Sequence, residues 1–434
     1  MMGIAVSASG NGRPPHTNGV FFHPTDPNTL LLRTSFGLLI SHDDGCSFRW
    51  VCEQNIGYGG TFDPKYAVSP SGAIFATTFT GLRVSRDAGC SFATATEELL
   101  AGSPERLSDR YLGALAVGST GEVWVGTADT LQNAIYRSTD DGVTFAVRGT
   151  LPPAILWESI RVAPTDPARV YITGGQVNDP PSAYFYATTN AGADWTAGPL
   201  GGVVLGASPI AKVMAVDPVD PNILYLLTVG SQNNGAGDRL YRSGDAGQTF
   251  IEVLTTPSTV VGVTVHAETV TVATQAGAFS STDRGLTFQP VAAPLKFACL
   301  VQRTDGRYYA CGANWEPDFM ALAHSGDAAS WEKIFRFAEL AGPVDCPAGT
   351  PQAETCGPLY SILQQQFGVT GPTCGAAPDT VGGDVAKSPG SGCCQTGGQG
   401  GTVALLGALV AFAAIGPRVR RRRYDRVFRS KPRR

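Results

Sequence analysis

The strongest constraint on this chain is an eight-residue phrase that keeps returning. It is first met at Ser41-His42-Asp43-Asp44-Gly45-Cys46-Ser47-Phe48, and it recurs from Ser85, Ser138, Ser243 and Ser281 as Ser-x-Asp-x-Gly-x-Ser/Thr-Phe. Two looser copies start at Thr188, with Asn190 in the Asp position, and at Ser325, one residue short and lacking the glycine but keeping Asp327. The hydroxyl and carboxylate can hold turn N–H groups, the glycine supplies a positive φ, and the closing aromatic anchors the next strand. Asp43, Asp87, Asp140, Asn190, Asp245, Asp283 and Asp327 are therefore read as turn architecture, not as a site. Successive copies start 44, 53, 50, 55, 38 and 44 residues apart, the period of a four-stranded blade. The expectation is an all-β chain forming a seven-bladed β-propeller over residues 20–341.

Patterning inside the repeats agrees. Residues 269–274 alternate Thr and apolar side chains, and blade one reads as strands at 19–23, 30–34, 38–41 and 48–53. Pro- and Asp-rich turns at 23–28, 163–167 and 216–222 join the first two strands of their blades. Antiparallel order puts these turns and the octets on one face of the ring. The loops joining strands two and three, and the blade-to-blade connections, fall on the other. That second set is variable: 128–134, 174–183, 229–239 and 312–320, with connections 54–61, 99–111 and 151–158. Scaffolds concentrate binding on such loops.

On the strength of the octets, residues 20–337 resemble the Asp-box, or bacterial neuraminidase repeat, family. The resemblance implies the propeller and leaves function open, because the family spans sialidases, other glycosidases, sorting receptors and assembly factors. Sialidases of this fold use an arginine cluster, a Tyr/Glu nucleophile pair and an Asp acid, and their usual Arg-Ile-Pro phrase is absent here. The Pro-x-Asp-Pro turns are similar to those of xyloglucan hydrolases built from two propellers, whereas the repeats here account for one. Some seven-bladed members act in photosystem assembly, which makes an envelope assembly scaffold a further reading, though no long basic groove marks it.

Charge and cysteines narrow the classes. Residues 418–434 hold ten Lys/Arg and one Asp, leaving 22 basic and 35 acidic residues elsewhere, a net of −13. An acidic body argues against a nucleic-acid partner, whose phosphates need clustered positive charge. Ten cysteines point to an oxidising compartment. Cys299 and Cys311 flank a hairpin around Thr304-Asp305-Gly306 and form a disulfide candidate; Cys46 and Cys52 straddle one strand, and Cys90 repeats the octet position of Cys46. The pairing of Cys346, Cys356 and Cys374 is open. Residues 1–19 are read as an N-terminal segment, a remnant of a signal region. Residues 342–394 form a Gly/Pro/Cys-rich tail and linker with one helical candidate at 358–367. Residues 395–417 are apolar over a length that spans a bilayer, and the basic stretch 418–434 beyond them keeps that end cytoplasmic and the propeller outside. Cys393-Cys394, this apolar segment and Arg420-Arg421-Arg422-Arg423 together resemble the MYXO-CTERM sorting signal of myxobacterial secreted proteins. The resemblance implies export, processing near Cys393 by a sorting protease, a lipid on that cysteine and display on the cell surface; an ordinary single-pass membrane anchor is the plainer reading.

Among candidate chemistry, Glu158, Asp179, Glu316 and Asp318 lie on the variable face, where a glycosidase would need two carboxylates across a cleft. Surface acids are otherwise solvated. Tyr58, Trp157 and Trp315 on the same segments can stack on sugar rings or anchor a peptide, with rim packing as the structural alternative; Asn178 and Asn233 sit on neighbouring variable loops. The five histidines, His16, His23, His42, His266 and His324, show no ligand spacing, so neither metal nor cofactor is expected. The expected function is non-catalytic recognition of a glycan or protein by a monomer displayed at the bacterial envelope, with an extracellular glycoside hydrolase as the alternative.

Overall fold

The structure, a computed structural model, describes residues 14–373 apart from 131, 177–181, 207–208 and 231–236. Seven antiparallel meanders of four consecutive strands occupy residues 17–51, 66–94, 112–147, 156–198, 211–255, 260–291 and 299–335, here blades one to seven. Their first strands are Thr17–Phe22, Tyr66–Val68, Leu112–Val117, Leu156–Ala163, Ala211–Val216, Val260–His266 and Cys299–Gln302. Each touches the next, and the seventh touches the first, so they form the inner wall of a closed ring. This is the seven-bladed propeller that the repeat predicts. The turn expected at 163–167 is present and tighter than that span: Ala163 pairs with Asp166 across Pro164-Thr165, and the second strand of blade four runs from Asp166 to Gln176.

The octets form one turn seven times. In blade two, Ser85 Oγ donates to Asp87 Oδ1 (2.8 Å) and accepts from the Gly89 N–H (2.9 Å). Asp87 accepts from the Ser91 N–H (2.9 Å) and hydroxyl (2.6 Å). Asp43, Asp140, Asp245 and Asp283 do the same for their own turns. Asn190 Oδ1 accepts from Asp194 N–H, and Asp327 from Ser330 N–H. The backbone bends further than the glycine alone provides, because the residue before it is also left-handed: Asp44, Ala88, Asp141, Ala191, Ala246 and Arg284 have φ between 53° and 61°, and in the copy without the glycine Ala328 takes the same conformation at 61°.

The glycine has a second reason to be there. A Cβ on Gly142 of blade three would lie 2.4 Å from the Phe75 ring of blade two, and one on Gly247 of blade five 2.3 Å from Phe185 of blade four. At Gly285 of blade six the obstacle is Tyr225 of blade five, at 2.6 Å. Each of these octets is thus a wedge seated on the preceding blade.

Because every blade is one continuous stretch, no strand is shared to lock the ring. Closure falls to the tail that leaves blade seven. Gly342–Pro343 pairs in parallel with the outer strand of blade one, Gly342 against Arg49 and Pro343 against Trp50. Cys356 is bonded to Cys52 of blade one and Cys346 to Cys90 of blade two. Buried Gln352 donates to Trp50 O (2.6 Å) and accepts from Asn55 Nδ2 (3.0 Å). The expected tail is therefore stapled, with both staples on the propeller; its helix, Gly357–Phe367, lies where the 358–367 pattern puts it. Cys299 and Cys311 pair as expected. Cys374, Cys393, Cys394 and residues 395–434 lie outside the described residues, among which no helix is long and apolar enough to cross a membrane.

Substituting Gly142 tests the wedge. Gly142→Ala forces both a left-handed Cβ and an overlap with buried Phe75, and should lower unfolding free energy by about 2–5 kcal/mol. The exposed neighbour change Val143→Ala should stay within about 0.5 kcal/mol. Urea denaturation midpoints at unchanged slope distinguish the two.

Candidate functional site

Two features meet on the variable-loop face of blades one to four. The first is an aromatic patch. Phe62 belongs to the connection between blades one and two, Phe79 to the tight turn between strands two and three of blade two, and Tyr111 stands just before blade three. Phe62 and Phe79 have ring centroids 4.4 Å apart, and Phe79 stacks on Tyr111 at 4.9 Å. Tyr58 meets Phe62 edge-on at 6.4 Å. Phe79 is 56% exposed, although large apolar side chains gain by burial.

The second is the channel inside the ring of first strands, a cavity of about 570 Å³ lined by residues from both ends of those strands. Arg33, Lys65 and Arg161 project into it among apolar walls that include Val162, Met214 and Val263. Lys65 Nζ donates to the carbonyls of Gly113 and Glu158. Arg161 donates through Nε to Met214 O (3.0 Å) and through Nη1 to Ile160 O (2.9 Å). Arg33 is held by the side chain and carbonyl of Asn18, and Asn18 in turn donates to Asp63. Neither Lys65 nor Arg161 forms an ion pair with a described carboxylate. Burial pulls the Lys65 ammonium down to about 8 from its ordinary 10.5; Lys212, Arg161 and Arg33 push the same way, against the opposing charge of Glu158. Burial also depresses Arg161, which stays charged at neutral pH. Patch and channel adjoin: burial and then the Glu158 carboxylate raise the Tyr111 hydroxyl.

The candidates from the sequence are dispersed differently. Trp157 is fully buried, packed against Tyr186 at 5.9 Å, so it belongs to the core and not to the rim. Trp315 is 46% exposed but leans on Phe337 and on Phe367 of the tail helix. Tyr58 is half-buried, and its hydroxyl is raised well above the usual range by burial, with the Tyr66 hydroxyl beside it. Asp318 is buried and accepts the N–H groups of Ala313 (2.8 Å) and Lys296 (3.1 Å), which makes it a loop brace. Glu316 is exposed on blade seven, three blades from Glu158. Asp179, Asn178 and Asn233 lie outside the described residues. Lys65, Arg161, Arg33, Phe62, Phe79 and Tyr111 were not among the sequence candidates. The available signal was a basic residue inside or beside a first strand, as at Arg161 and Lys65.

No family model and no curated protein sequence matches this chain. Solved structures match as folds. An ancestral GH74 enzyme is 14% identical with a TM-score of 0.54, over 74% of this chain and 46% of that one. PorZ of Porphyromonas gingivalis, a bacterial surface component of the type-IX secretion system, is 15% identical with a TM-score of 0.50, over 70% and 45%. YCF48 of Cyanidioschyzon merolae is 13% identical with a TM-score of 0.46, over 69% and 93%. At such identities the likeness is one of fold alone. The chain spans about two thirds or less of the length of the GH74 structures it matches.

Lys65 gives a pH test. Its folded pKa, about 8, lies below the unfolded value, so between about 8 and 10.5 the unfolded chain holds more of this proton. The destabilising charge is present below that window, and stability from this group rises as pH climbs through it. Wild type should show this rise relative to Lys65→Met in paired denaturation series, and the Lys65 ammonium resonance should titrate near pH 8.

Proposed function

We propose that this chain is a non-catalytic recognition protein that holds its partner on the variable-loop face of the propeller. The observation that carries the reading is the exposed stack of Phe62, Phe79 and Tyr111 beside the mouth of a cationic channel. Such a patch suits a partner's apolar or ring surface, and the channel suits its charge. A glycoside hydrolase asks for a carboxylate pair across a cleft. Asp318 is spent on bracing its loop, and Glu316 and Glu158 stand three blades apart. Three disulfides among the described residues fit an oxidising compartment. With the apolar 395–417 and the Cys393-Cys394 signal, they support display at the cell envelope through a C-terminal anchor that a sorting protease processes.

The test is a combined glycan and peptide array with a parallel hydrolysis screen, using the full chain. Binding should appear without turnover and should fall at least tenfold in Phe79→Ala, whose exposed ring contributes little to stability. Hydrolysis abolished by Glu158→Gln or Glu316→Gln would replace this reading with the enzyme.

A further inference from the structure

The channel gathers cationic side chains, and the Glu158 carboxylate acts on Lys65 without forming an ion pair with it. An ammonium and a guanidinium line the channel, each half-buried and bonded to backbone carbonyls, and neither is paired with a described carboxylate. A buried cation without an anion is costly unless something else answers it. The hydrogen-bonding capacity is incomplete in the same sense. Lys65 has three ammonium hydrogens and two carbonyl acceptors, and nothing described accepts from Nη2 of Arg161. Arg33 lines the same cavity, and Lys212 is near enough to repel Lys65.

We propose that the channel mouth binds the C-terminal carboxylate of an extended protein segment, Lys65 and Arg161 holding the carboxylate while the last side chains lie against the apolar wall and the preceding ones against the aromatic patch. This rests on, and sharpens, the recognition reading. Three observations favour a peptide end over an acidic glycan. Arg33, Lys65 and Arg161 line one channel inside a ring and do not form a stripe across the surface, which suits a single terminal charge and not a charge on every unit. The walls around them, Val162, Met214, Val263 and Leu300, are apolar, which suits a hydrophobic side chain and not a sugar bearing hydroxyls on every edge. Finally, the body of the chain carries a net −13 outside residues 418–434, which repels a polyanion at long range.

The experiment uses the full chain on an array of nonapeptides, each printed with a free C-terminal carboxylate and again as the C-terminal amide, beside uronic-acid oligosaccharides. Binding should favour the carboxylate form at least tenfold. It should fall at least tenfold in Lys65→Met and in Arg161→Gln, and it should return in Lys65→Arg. Affinity should also weaken as pH rises past about 8 in wild type, where Lys65 discharges facing Arg33, Arg161, Lys212 and Glu158, but not in Lys65→Arg. Arg161→Gln and thermal melts of every variant separate loss of the site from loss of fold. Equal binding of carboxylate and amide forms, still sensitive to Phe79→Ala, would overturn the channel site and leave recognition on this face standing. Binding of the uronic-acid oligosaccharides in place of peptides, or of neither, would overturn the proposal.

Discussion

Everything in this ring depends on a turn that does two things in the same five residues. It must reverse the chain between strands three and four, and it must leave a hollow into which the previous blade can press. Two consecutive left-handed residues achieve the reversal, and the Ser and Asp side chains take up the N–H groups that the bend exposes. The hollow is the missing Cβ of the glycine. Phe75, Phe185 and Tyr225 fill it in three arrangements of the same kind. The turn and the blade interface are thus one feature, and this explains why the phrase recurs where the loops on the other face do not.

A ring of independent blades also needs a lock, and here the lock is covalent. The disulfides Cys52–Cys356 and Cys90–Cys346 close loops of 304 and 256 residues, nearly the whole propeller. In the chain-entropy account a cross-link of that span removes on the order of 5 kcal/mol of unfolded-state freedom, and the two overlap so strongly that their effects do not add. The parallel pairing of Gly342–Pro343 and the buried Gln352 fix the same tail by hydrogen bonds. Opening the lock would free the junction of blades seven and one, which is otherwise held by first-strand packing and by contacts such as Thr17 Oγ1 to Ala321 O (2.6 Å).

The repeat made the architecture legible because the turn is local: spacing, residue type and strand alternation all report it within eight residues. The Cys299–Cys311 pair was legible for the same reason, since a short hairpin brings its two ends together. The long-range staples were not, because nothing local in Cys346 or Cys356 says which blade it meets. Trp157 shows a subtler failure. The segment 151–158 read as a connection, yet the first strand of blade four starts at Leu156. Once the segment is a strand, alternation decides the matter: Trp157 and Ser159 turn into the core. The channel cations were hidden because one Lys or Arg in an apolar strand looks like a solvated edge until seven such strands are closed into a ring.

That closure also explains how the chain tolerates them. In an open sheet Lys65 and Arg161 would reach water at no great cost. Inside the ring they share a channel with partly apolar walls, while the body of the chain outside residues 418–434 carries the opposite net charge. The carbonyls of Gly113, Glu158, Ile160 and Met214 hold the two cations, and burial, with the nearby Lys212, Arg161 and Arg33, lowers the Lys65 ammonium against the pull of Glu158. The ring is held by the glycine wedges between blades and by two long staples. The two features that looked independent in the sequence, a turn motif and scattered cations, meet through closure: the turns seat each blade on the one before it, and the closed ring of first strands brings cations from separate blades into one channel.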